Sequence, residues 1–177
     1  MKKKLKIILI FLISISFLIG GSGMIFTLIR DSKTVKAAKK LVVAIENNDI
    51  QTVSNVIERY PKSVNTLPSF SPWWWQLITE QPDVYYPLQE ACSGGNYDVT
   101  KFLIENGAEV NQTWKGIESS RTPLMWAVIS GSDRTTDILK LLLEHGANRS
   151  AKDRQGKTAY DYAVQNEFLE LAELLKP

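Results

Sequence analysis

The most constraining feature of the chain is a short helix pair that recurs in register. Residues 86–112 open with Tyr86-Pro87-Leu88. Pro87 suits the first position of a helix, where its missing N–H costs nothing. Leu88, Ala91 and Cys92 then share one helical face, and Gly94-Gly95-Asn96 breaks the helix. Asp98 suits the start of a second helix whose Val99, Phe102, Leu103 and Ile104 form a wide apolar stripe, and Gly107 stands where a left-handed cap is wanted. One such pair has too little partner surface to stay folded alone, so it must recur. Residues 122–150 repeat it: Thr122-Pro123-Leu124 stands 36 residues after Tyr86-Pro87-Leu88, and Gly146-Ala147 stands 39 after Gly107-Ala108. The difference is a small insertion in the inter-helix turn near Ser132–Thr136. Thr158 follows Thr122 by another 36 and leads into Ala163, Val164, Leu169, Leu171, Leu174 and Leu175. A divergent copy precedes them: Ala44–Ile50 read as a helix end and turn, Val53, Val56 and Ile57 as a second stripe, and Val64-Asn65 as its ending.

A unit of about 33 residues that opens on Thr-Pro-Leu and closes on Gly-Ala resembles the ankyrin repeat. The resemblance covers residues 36–177 and implies an all-α solenoid of about four repeats, near 36–65, 86–112, 122–150 and 153–177, within a domain 31–177. The family usually carries His after Thr-Pro-Leu. Here Gln89, Met125 and Asp161 hold those positions, and the expectation is that a buried hydrogen bond is lost.

The N-terminus is of a different kind. Lys2, Lys3, Lys4 and Lys6 precede residues 7–29, which carry no charge. As a helix this run spans about 34 Å, enough for a bilayer core. Residues 1–30 are therefore expected to form a signal-anchor, a transmembrane helix before the repeats. Met24–Ile29 stay apolar beyond Gly20-Gly21-Ser22-Gly23, which favours an anchor over a cleaved signal; cleavage near Gly23, releasing a periplasmic or secreted protein, is the alternative. Lysines flank both ends. The compact N-terminal cluster favours a single pass with the repeats outside, in the periplasm of a bacterial inner membrane.

Charge narrows the partner. All 19 acidic residues and all but four of the 21 basic ones lie from Arg30 onward, where the net charge is −2. No basic stripe with interleaved aromatics is present, so nucleic acid is not the expected partner. Catalysis has no visible basis either. His145, the only histidine, sits at a helix end where a cation suits the dipole. No phosphate-binding loop, metal-ligand spacing or nucleophile elbow occurs, and no cofactor or metal is expected. Cys92 aligns with a small core position.

Two junctions are enlarged. Thr66–Tyr85 holds Pro68, Pro72, Pro82 and Trp73-Trp74-Trp75; Gln112–Ser120 holds Trp114 and Ile117. Each tryptophan either covers neighbouring repeats or offers an aromatic anchor to a partner, and the first run also suits a membrane interface. By the resemblance, partner contacts come from finger tips and from the end of each first helix. That implicates Tyr85, Arg121, Arg154, Gln155 and Lys157 on fingers, Ser93, Ile129 and Ser130 on helices, and Trp73, Trp74, Trp75 and Trp114 on the enlarged loops. The function expected is a non-enzymatic, membrane-tethered, monomeric module that binds an unknown protein through a concave face and its fingers. Narrower alternatives are an immunity protein neutralising a toxin and a scaffold of an envelope complex.

Overall fold

The computed structural model describes residues 32–65, 86–113 and 120–176. The chain divides into two compact units, Met1–Val35 and Lys36–Pro177. Of the first, only residues 32–35 are described, as the opening turn of a helix. The apolar run 7–29, the loop with Trp73–Trp75 and Tyr85, and Trp114 lie outside the described residues. Among the described residues no helix is long and apolar enough to cross a membrane.

The described residues are helical and contain no strand. They form four pairs: α1 (Ser32–Glu46) with α2 (Ile50–Arg59), α3 (Pro87–Ser93) with α4 (Tyr97–Glu105), α5 (Pro123–Ser130) with α6 (Thr135–Glu144), and α7 (Ala159–Gln165) with α8 (Leu169–Leu175). A 3-10 turn, Pro61–Val64, follows α2 where the later pairs use Gly-Ala. First helices stack on first helices, α3 on α5 and α5 on α7; second helices do likewise, α2 on α4 and α4 on α6.

The register repeats residue by residue. Left-handed backbone recurs at Asn48, Gly95, Gly131 and Glu167, each in the turn inside a pair. Counting back from that turn aligns Ala44, Ala91, Ala127 and Ala163, all buried. A methyl group there lets adjacent first helices approach closely. Leu41, Leu88 and Leu124 fill the next layer, and Val99, Leu103, Ile138 and Leu142 complete it from the second helices. This is the expected economy of a solenoid: each pair buries its face against its neighbours.

Asparagines staple successive pairs. Asn65 Nδ2 donates to Gly107 O at 3.2 Å while its Oδ1 accepts from Glu109 N at 2.7 Å. Asn111 does the same one repeat later, to Gly146 O at 2.9 Å and from Asn148 N at 2.8 Å. Asn96 does not cap its own helix, α4; its amide donates instead to Ile45 O of the preceding pair.

The residues that stand in place of histidine make different contacts in the three repeats. Gln89 is buried and its Nε2 donates to Gln112 O at 2.8 Å and Arg121 O at 3.4 Å, tying together the two ends of the enlarged finger. Met125 and Asp161 turn back instead: Thr122 N donates to the Met125 sulfur, and Asp161 Oδ2 accepts from Thr158 N at 2.7 Å and Thr158 Oγ1 at 2.8 Å. Each replacement thus makes a hydrogen bond of its own to the backbone.

Candidate functional site

Stacking turns equal positions on the first helices into rows. Glu90, Trp126 and Tyr162 occupy one row at a spacing of 36 residues, and Ser93, Ile129 and Gln165 the next. Ser93 and Gln165 are exposed and Ile129 and Ser130 half-buried, so the described site positions on helices line one face.

The richest chemistry lies where that face meets the finger before α7. Asp153 is buried and organises the finger from below. Its Oδ1 accepts from the amides of Gln155 and Lys157, both at 2.9 Å, and its own amide donates to Lys157 O at 2.9 Å. The Tyr162 hydroxyl donates to Asp153 Oδ2, and Arg121 Nε donates to that hydroxyl at 3.1 Å. The Arg121 guanidinium lies 5.1 Å from the centre of the Trp126 ring and 5.3 Å from that of Tyr162, within cation–π range. Lys157 Nζ lies 5.5 Å from the Tyr162 ring and donates to Gln165 Oε1 at 2.6 Å.

The electrostatics follow from these contacts. Burial raises the Asp153 carboxyl, but the Tyr162 hydroxyl and the amides of Lys157 and Gln155 more than offset it, and Arg121 adds to them, so it stays below the usual range. Tyr162 is pushed up, first by burial and then by Asp153. Glu90 is half-buried and pushed up by desolvation, with Glu46 of the preceding pair adding repulsion. The indole N–H of Trp126 is buried without a hydrogen-bond partner among the described residues, an arrangement that costs about 1–3 kcal/mol.

Of the residues singled out from sequence, Arg121 and Lys157 come together around Tyr162. Arg154 and Gln155 stand exposed at the tip of the same finger, and Ser93 stands on the second pair, beside the Glu90 row. Trp73, Trp74, Trp75, Tyr85 and Trp114 lie outside the described residues. Sequence reading passed over Glu90, Trp126, Tyr162 and Asp153. The signal was there: the fifth position from each Tyr/Thr start carries Glu90, Trp126 and Tyr162, each a large or charged residue set directly before the core alanine of its helix.

Two further groups among the described residues serve the fold. His145 is bonded through Nδ1 to Leu141 O at 2.9 Å at the end of α6. Cys92 is fully buried, and burial pushes its thiol up to about 12. Among the described residues no group of three or more His, Cys, Asp or Glu side chains is placed to hold a metal ion. An open trough of about 350 Å³ beside Lys40, Val43 and Thr52 marks the edge of the first pair.

Comparison with known proteins agrees with this architecture. The family profile described as "Ankyrin repeats (3 copies)" matches residues 41–153 and 88–177. Protein phosphatase 1 regulatory subunit 27 of Homo sapiens is 34% identical over 100 residues, covering 56% of this chain and 60% of that protein. Ankyrin repeat protein YahD of Escherichia coli is 36% identical over 95 residues, covering 50% of this chain and 44% of its own length. Ankyrin repeat and SOCS box protein 11 of Mus musculus is 36% identical over 97 residues, 54% of this chain and 28% of that protein. The chain thus spans less than two thirds of the length of these relatives. With the family profile laid over helix pairs that stack in the same order, the chain belongs to the ankyrin-repeat family, whose repeats form protein–protein interaction modules.

Proposed function

We propose that the chain is a non-catalytic binding protein, tethered to an inner membrane by residues 7–29, that holds another protein on its first-helix face and fingers. The carrying observation is the row Glu90–Trp126–Tyr162 with Arg121 and Lys157 above it. Glu90 sits half-buried beside Glu46, where desolvation and that neighbouring carboxylate push its pKa up. A sequence shaped only for stability would put a neutral side chain there. Rigid stacked helices keep these groups in place before a partner arrives, so little ordering is required on binding. Similarity to a protein named as a regulatory subunit supports a role without catalysis. In this reading the anchor is a single pass, the repeats lie on the outer side, and the protein acts as a monomer.

Site-directed photo-crosslinking of the full chain in native membranes tests this. A photoreactive side chain at Ile129, on the first-helix face, is expected to yield one discrete adduct; the same group at Lys140, exposed on α6, yields none. Equal labelling from both positions, or none from Ile129, overturns the assignment of the face. The tether is tested separately: carbonate washing leaves the protein in the membrane, and N-terminal sequencing finds Lys2–Lys6 retained.

A further inference from the structure

Arg121 is half-exposed and fixed along one edge. Its Nε is bound to the Tyr162 hydroxyl, and the guanidinium plane is flanked by Trp126 and Tyr162. Its two terminal amino groups have no hydrogen-bond partner among the described residues. Asp153, the nearby carboxylate, attracts Arg121 at longer range but makes no direct hydrogen bond to that fork among the described residues: its Oδ1 accepts from the amides of Gln155 and Lys157 and its Oδ2 from Tyr162. Asp161, close to Lys157, is likewise held by Thr158. Lys157 lies over the same tyrosine ring and gives Gln165 one of its three protons. Both carboxylates are thus engaged by hydrogen bonds of their own, and both cations are pinned with donors to spare among the described residues.

A planar guanidinium with its Nε tied and its terminal amines without a partner among the described residues matches the two oxygens of one carboxylate. We infer that Arg121 and Lys157 form a carboxylate receptor, which takes an Asp or Glu side chain from an acidic segment of a partner protein while Trp126 contacts the segment's apolar neighbour. The inference rests on the proposed use of this face for binding a protein. The rigid anchoring explains how a half-exposed Arg can serve: the rotamer freedom that a solvated Arg loses on binding is here already lost.

Random dodecapeptides selected by display on the full chain in detergent micelles test the inference. Bound peptides are expected to share an Asp or Glu at a recurring position, and changing it to Asn or Gln weakens binding at least tenfold. Arg121→Gln and Arg121→Lys each weaken it at least tenfold, because lysine keeps the charge and loses the fork. Lys157→Gln weakens it about threefold, and it decides the matter should the Arg121 variants melt early. Selected peptides that lack a recurring acid, or that bind Arg121→Lys unchanged, overturn the receptor and leave the partner-binding face standing if Ile129 still crosslinks. Failure to select any peptide also overturns it, the crosslinking result again judging the face independently. A phosphoserine in place of the acid that binds tenfold tighter assigns the site to phosphorylated segments instead and rejects the carboxylate.

Discussion

Two carboxylates on this face respond oppositely to pH. Asp153 has a folded pKa below its unfolded value, so its contribution is present above about pH 4 and is lost as pH falls through the folded value. Asp153→Asn is expected to destabilise by about 1–3 kcal/mol at pH 7, since a buried network loses its charged acceptor. In melts recorded down the acid limb, the gap between variant and wild type should close. Glu90 has a folded pKa above its unfolded value, so it imposes a penalty above that folded value and none below about pH 4. Glu90→Gln is expected to raise the melting temperature at pH 7 and to leave it unchanged at pH 3. A fall at pH 7 would show that the carboxylate has a stabilising partner after all. Cys92 is the third test at this scale. Its thiol is buried and pushed up to about 12, so a chromogenic disulfide reagent at pH 8 should label it only at the rate of unfolding. The core role of Cys92 was legible from the small positions that surround it. The roles of Glu90 and Asp153 were not, because a charged residue next to a glycine turn reads the same whether it meets water or a neighbouring repeat.

At the scale of the element, the inter-helix turn shows how stacking selects residues. Gly95 and Gly131 are left-handed, and a Cβ on either meets the next repeat: Ser132 Oγ at 2.4 Å from the first, Phe168 Cζ at 2.7 Å from the second. Glu167 has the same backbone in the last described pair, at φ 60, yet carries a full side chain. The left-handed turn alone therefore does not demand glycine; the side chain pressed over it does. Gly131→Ala is expected to cost about 1–3 kcal/mol from the backbone alone, and more from displacement of the Phe168 ring. Glu167→Gly, which relieves strain without opening a contact, should change stability by less than about 1 kcal/mol in denaturant titration. Helix starts were more readable. Thr122 and Thr158 cap α5 and α7 through their hydroxyls, which accept from Met125 N and Asp161 N, as their place before an apolar helix suggests.

For the repeat array as a whole, pairs touch chiefly their neighbours, so stability is a chain of local interfaces. The middle pairs, α3–α4 and α5–α6, have a neighbour on each side. The last described pair has one among the described residues, and Val164 there is 48% exposed where its counterparts Cys92 and Val128 are 0%. Amide hydrogen exchange should therefore be slowest in α4 and α6 and fastest in α8, with a graded decline between them. Uniform protection from α2 to α8 would mean one cooperative core in place of a solenoid.

The chain alone determined its periodicity: where helices begin, where glycine ends them, and that no pair could fold without the next. Those are local properties, set by helical spacing, caps and turns, and they recur because the same packing problem recurs. Tertiary structure decided which side chains of different repeats become neighbours. Arg121 meets Tyr162, 41 residues away, and Asn96 reaches back 51 residues to Ile45. Such meetings depend on the rise and rotation from one helix pair to the next, quantities set by the packed alanine and leucine layers and not by any single stretch of sequence.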